Sequence, residues 1–138
     1  TYGVKDDLTK DDGVEMAKRC LSLARSAGVN LFDNAEAYGN PVGEAERIMG
    51  EALEQLTDED PETWRRSDIL ITTKIFWGGA GVNEKGLSRK HIMEGLDASL
   101  DRLQVAMPRG AWRLSQRYQL REIGANRKFT ILIFELVI

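Results

Sequence analysis

What most limits the fold of this chain is an alternation in its hydrophobic pattern. Between Asp11 and Ala27, the residues Val14, Ala17, Cys20, Leu21 and Ala24 recur at the period of an α-helix. Asp12 and Glu15 have the spacing of a capping box at its start, and Gly28 suits the left-handed position after its end. Val29 to Phe32 is a short apolar strand. A second helix is expected from Gly43 to Leu56, turning Ile48, Met49, Ala52, Leu53 and Leu56 toward a core, before a polar loop through Pro61. Ile69 to Thr73, rich in β-branched residues, is the next strand. Gly78 to Gly86 reads as a flexible loop, after which Ser88 caps a third helix with Ile92, Leu96, Ser99, Leu100 and Leu103 on its inward face.

Helix and strand in alternation is the pattern of parallel βα units. Both strands are continuous apolar runs, so burial on two faces is expected. The polar residues of interest fall just past their C-terminal ends: Asp33 and Tyr38 after the first strand, Lys74 after the second. Ligand and catalytic groups gather at that end of parallel α/β sheets.

Composition narrows the function. At 138 residues, 42% hydrophobic and 30% charged, the chain is at most one ordinary soluble domain. One cysteine, Cys20, excludes an internal disulfide framework, and one Cys with one His makes no metal cluster, so a reducing cytoplasmic setting is expected. The longest apolar run, Thr130 to Ile138, is broken by Glu135 and is shorter than the ~20 residues of a spanning helix. No signal-peptide pattern opens the chain, and no membrane insertion is expected. The net charge of −3 conceals a division: residues 1 to 104 carry 13 Lys and Arg against 20 Asp and Glu, residues 105 to 138 carry 6 against 2. Six charges without a recognised nucleic-acid fold do not make a nucleic-acid site, and the basic segment reads as an unrelated tail.

A tyrosine hydroxyl, with a reference pKa of about 10, donates a proton poorly near neutral pH unless its anion is stabilised, which a nearby ammonium does. Lys74 could supply that charge and Asp33 could orient it, leaving Tyr38 fit for general acid catalysis on a carbonyl oxygen. From the residues alone, Asp33 serves equally as a turn residue, Lys74 as a solvated strand end and Tyr38 as a half-buried aromatic.

The run Leu31-Phe32-Asp33-Asn34-Ala35-Glu36-Ala37-Tyr38-Gly39, followed by Gly43-Glu44-Ala45-Glu46-Arg47-Ile48-Met49-Gly50, resembles the aldo-keto reductase signature around its catalytic aspartate and tyrosine. Ile71-Thr72-Thr73-Lys74 is similar to the strand that carries the family's catalytic lysine. Trp64-Arg65-Arg66-Ser67, Phe76-Trp77-Gly78-Gly79 and Gly86-Leu87-Ser88-Arg89-Lys90-His91-Ile92 resemble the subfamily of voltage-gated potassium channel β subunits and their plant and microbial relatives. The resemblance covers residues 1 to 104. It implies an α/β fold, about the first three βα units of a (β/α)8 TIM barrel, with NADPH as cofactor and carbonyl reduction through an Asp, Tyr, Lys, His tetrad. Asp33, Tyr38 and Lys74 match three of its members, and Asp33 would also contact the nicotinamide side of the cofactor. Trp77 would lie with Tyr38 by the substrate pocket, or serve as a packing aromatic. Thr1-Tyr2-Gly3 resembles the tail of the first barrel strand.

The family's fourth catalytic residue, a histidine, should follow Leu103-Gln104 almost directly, where the chain reads Val105-Ala106-Met107-Pro108-Arg109-Gly110. His91, the sole histidine, is expected to be a partly exposed helix residue and no substitute. Gly78 to Gly86 does not fit GxGxxG, and Lys85 precedes its glycine where a P-loop lysine follows one. Residues 105 to 138 read as a divergent tail, of out-of-frame or retained-intron origin. Arg109, Arg113, Arg117 and Arg121 lie at helical spacing there, and Thr130 to Val137 could form a strand over the open sheet edge. A complete barrel needs about 250 residues. The expectation is therefore an impaired or inactive truncated reductase. The alternatives are a regulatory protein that binds a potassium channel's cytoplasmic domain, with copies assembling as the channel-linked relatives do, and a non-functional truncated product.

Overall fold

A computed structural model describes residues 10–105, 119–122 and 130–136. Helix α1 spans Lys10–Ser26, strand β1 Leu31–Asp33, helix α2 Glu44–Glu59, strand β2 Leu70–Lys74 and helix α3 Arg89–Arg102. Two more strands follow, β3 over Gln119–Glu122 and β4 over Thr130–Leu136. The order of elements through α3 is the one read from the hydrophobic pattern, with ends displaced by up to three residues.

Strands β1 and β2 pair in parallel, Leu31 opposite Leu70 and Asp33 opposite Thr72. The ladder continues past the end of β1, because the amide of Asn34 donates to Thr72 O at 2.8 Å and that of Glu36 to Lys74 O at 3.1 Å. These two bonds fix the segment carrying Asp33 and Tyr38 to the end of the strand carrying Lys74. On its other edge β2 pairs antiparallel with β4, and β4 with β3, giving the sheet order β1-β2-β4-β3. The strand foreseen over the sheet edge is thus present through Leu136; Val137 lies outside the described residues. Arg121 sits in β3, which corrects the helical row drawn through it: paired in a sheet, its neighbours alternate between faces and do not follow a helical turn. Arg109, Arg113, Arg117 and the segment Thr1-Tyr2-Gly3 lie outside the described residues.

The core forms where the helices meet one face of the sheet. Phe32 and Ile71 point into it from the strands, Leu21 from α1 and Ile48, Met49 and Ala52 from α2, all buried. Trp64 closes one side, its ring centroid 6.2 Å from that of Phe32. The five α2 residues expected to face the core are all buried, as are Leu96, Ser99 and Leu103 around α3, while Ile92 and Leu100 are half-buried. Gly28 takes the left-handed conformation expected after α1, with φ +90.

Two expectations need correction. Strand β1 is not buried on both faces: Phe32 is buried whereas Leu31 and Asp33 are exposed, because the helices cover only the Phe32 side. Nor does Asp12 cap α1, since the helix is already formed at Lys10 and Asp12 lies within its first turn. Glu15 faces forward to Lys18, 3.6 Å away, and Lys18 reaches on to Glu59 of α2 at 2.6 Å. The other helix start is as expected: Ser88 caps α3, its hydroxyl accepting from the His91 amide at 3.1 Å.

Candidate active site

Pleating sends alternate side chains of a strand to opposite faces. On β2, Ile71 therefore enters the helix-side core and Thr73 bonds to Glu46 of α2, while Thr72 and Lys74 turn to the opposite face, where Asp33 of β1 also points. That face gathers the residues singled out from the sequence. Lys74 Nζ donates to Asp33 Oδ2 and, at 2.7 Å, to the carbonyl of Asn34. Asp33 Oδ1 accepts from Thr72 Oγ1 at 2.7 Å. The Asp33 carboxylate is thus held by one neighbour from the adjacent strand through each oxygen, and the lysine by two acceptors on the opposite segment.

Tyr38 completes the group. Lys74 Nζ lies 5.1 Å from the centroid of its ring, within the range of a cation–π contact. The tyrosine is 38% exposed, and its position is set by its own backbone: its amide donates to Ala35 O at 3.0 Å and its carbonyl accepts from Ala45 N at 3.1 Å at the start of α2. Beneath it, the buried Asn34 amide donates to Ala45 O at 3.0 Å, tying the same segment to the same turn of α2. Asp33, Tyr38 and Lys74 therefore meet at the C-terminal ends of two parallel strands.

Trp77 is 54% exposed and packs edge-on against Phe76, ring centroids 4.8 Å apart, three residues beyond Lys74.

Two functional-looking carboxylates escaped the sequence reading. Glu36, 3% exposed, accepts through Oε1 from the amides of Phe76 and Gly78, the latter at 2.9 Å. Glu46, fully buried, accepts from Thr73, from Ser99 at 3.2 Å and from Arg102 Nε at 2.7 Å, joining α2, β2 and α3. Both lie inside the signature run, but nothing in one sequence distinguishes a buried glutamate from a solvated one without knowing which backbone amides or cations it meets.

His91 is also corrected. It is 4% exposed, its Nε2 3.4 Å from Glu36 Oε1, because the first turn of α3 leans over the segment after β2. The flexible loop expected from Gly78 to Gly86 is closed by backbone bonds, Gly86 N to Phe76 O at 2.7 Å and Gly79 N to Glu84 O at 3.2 Å.

Among the described residues no group of three His, Cys, Asp or Glu side chains could hold a metal ion, and no helix is long and apolar enough to cross a membrane. The family model for the aldo/keto reductase family matches residues 6–108. The chain belongs to the aldo/keto reductase family. It is 56% identical over 105 residues to a probable voltage-gated potassium channel subunit beta from Oryza sativa subsp. japonica, covering 76% of this chain and 30% of that protein. It is 59% identical over 92 residues to a protein of the same description from Arabidopsis thaliana, covering 67% of this chain and 26% of the relative. The chain thus spans about three tenths of the length of these curated relatives.

Proposed function

We propose that residues 1–104 form the N-terminal part of an NADPH-dependent oxidoreductase domain, a (β/α)8 barrel that reduces an aldehyde or ketone to an alcohol. The observation that carries this reading is the contact of Asp33, Lys74 and Tyr38 at the strand ends, in a chain of reductase lineage. The residues present fit the nicotinamide end of the cofactor: Asp33 offers a half-exposed carboxylate beside the exposed Tyr38, on a face the helices leave uncovered.

When bound, NADPH supplies a hydride to the carbonyl carbon. Tyr38 gives a proton to the carbonyl oxygen, completing the alcohol. The charge left on the phenolate is then stabilised by the Lys74 ammonium beside the ring. Asp33 holds that ammonium in place and keeps it charged, and Thr72 holds Asp33. The residues directly after Gln104, Val105-Ala106-Met107-Pro108, do not include the histidine of the family tetrad, and His91 is buried with its Nε2 3.4 Å from Glu36 Oε1. In this reading Tyr38 is the proton donor. Titrating the purified chain with NADPH tests the reading: saturable binding that weakens when Asp33 is replaced by Ala supports it, and no binding at millimolar NADPH sinks it.

A second reading rests on the relatives, both described as probable potassium channel β subunits. In it the chain, alone or as an assembly of copies in the cytoplasm, regulates a channel by binding its cytoplasmic domain. Co-purification with such a domain, retained when Tyr38 is replaced by Phe, would favour it over catalysis.

A further inference from the structure

Glu36 lies between Asp33 and Tyr38 in sequence and does something neither of them does. Its backbone amide pairs with Lys74 O, and its side chain reaches on past Lys74 to grip the next turn: Oε1 accepts from the amides of both Phe76 and Gly78. A carboxylate 3% exposed is costly to bury, and two converging N–H donors are the charge-assisted bonds that offset that cost.

The surroundings are shaped to this grip. A Cβ on Gly78, whose φ is +31, would lie 2.5 Å from His91 Cε1 and 1.9 Å from Glu84 O, so only glycine lets the turn settle against the imidazole. A Cβ on Gly95 of α3 would lie 2.8 Å from Ile75 Cγ2 and 3.1 Å from Glu36 Oε2. The absence of a side chain there lets α3 close on the carboxylate from behind. His91, its Nε2 3.4 Å from Glu36 Oε1, fills the remaining side. Three elements thus converge on one carboxylate, and what that carboxylate holds is the turn carrying Trp77.

We propose that Glu36 is a positioning residue for the reductase site, fixing the Ile75–Gly78 turn that runs on from Lys74 so that a carbonyl compound bound beside Tyr38 and Lys74 meets a held wall there. This rests on the reductase reading of the site. Glu36 touches no reacting atom; it acts through the turn. Gln in its place keeps the accepting Oε1, whereas Ala removes it.

The test uses the full chain and two readouts. Amide hydrogen exchange reports the grip directly. In Glu36→Ala the Phe76 and Gly78 amides exchange about tenfold faster or more, while the Leu70 amide, bonded to Asn30 O at 2.8 Å, holds its rate. Glu36→Gln restores both amides. Steady-state reduction of 4-nitrobenzaldehyde reports the consequence: Glu36→Ala raises KM about tenfold with kcat changed less than about threefold, and Glu36→Gln returns KM toward the wild-type value. Unchanged exchange at Phe76 and Gly78 in Glu36→Ala overturns the proposal, as does a fall in kcat with KM unmoved. No turnover by the wild-type chain sinks the reductase reading and the role given to the turn with it, while exchange still reports whether Glu36 holds it.

Discussion

Arg102 of α3 donates through Nε to the fully buried carboxylate of Glu46 on α2 at 2.7 Å, and both side chains bond to Ser99. A carboxylate without a cation in that position would be an unpaired buried charge. Replacing Arg102 by Met is therefore expected to cost about 3–5 kcal/mol, a larger loss than Glu46→Gln, which removes the charge together with the need for a partner. Urea denaturation of the two variants checks the order; equal losses would show that Glu46 is not dependent on the guanidinium.

Ser88 accepts the His91 amide at the start of α3. Ser88→Ala is expected to lower stability by about 1 kcal/mol. Because His91 sits in that first turn, the variant should also loosen the histidine from Glu36. The single His91 imidazole resonance, followed by NMR, would shift in Ser88→Ala and stay in place if the cap matters only to the helix end.

Asp60 closes α2, its carboxylate accepting from the Thr63 amide at 3.1 Å while Trp64 N donates to its carbonyl at 3.1 Å. The Thr63 side chain first, and then its backbone amide, hold the Asp60 carboxyl below its ordinary range by hydrogen bonding to the charged form. A depressed pKa gives stabilisation that is complete above the unfolded value, about 3.9, and is lost as pH falls through the folded one. The turn from Asp60 to Trp64 should therefore loosen only in acid. The prediction is that wild type loses an increment of stability below about pH 4 that Asp60→Asn lacks at every pH. Parallel acid profiles for the two proteins would contradict it.

Much of this was legible in the sequence where period and chemistry coincide. The α2 face from Ile48 to Leu56 is strictly helical in spacing and is buried as read, and Asp33, Tyr38 and Lys74 converge because Asp33 and Lys74 end adjacent parallel strands and Tyr38 follows the first of them. What stayed hidden depends on partners distant in sequence. Glu36 and Glu46 look like any surface glutamates until Phe76 N and Arg102 Nε arrive from 40 and 56 residues away. His91 reads in the sequence as an ordinary, partly exposed helix residue, and only its packing against the segment after β2 buries it. The exposed side of β1 could not be read from Val29 to Phe32, since an apolar run does not say how many layers cover it.

Asp33 is bonded to both Thr72 and Lys74, so its loss should release the ammonium from the ring of Tyr38. Asp33→Asn is expected to preserve the fold, with a change in stability under about 1 kcal/mol for so exposed a pair, yet to reduce carbonyl reduction by about tenfold or more. Thermal melts beside rate measurements separate the two effects; equal damage to both would make Asp33 a structural residue.

The most direct test of the account is aldehyde-dependent oxidation of NADPH by the purified chain, wild type against Tyr38→Phe, at NADPH concentrations shown by titration to saturate each. The account predicts a measurable rate in wild type and a loss of about 10²–10⁴-fold in Tyr38→Phe with cofactor binding unchanged. Equal rates in the two proteins, or no rate in wild type with its cofactor bound, would contradict it.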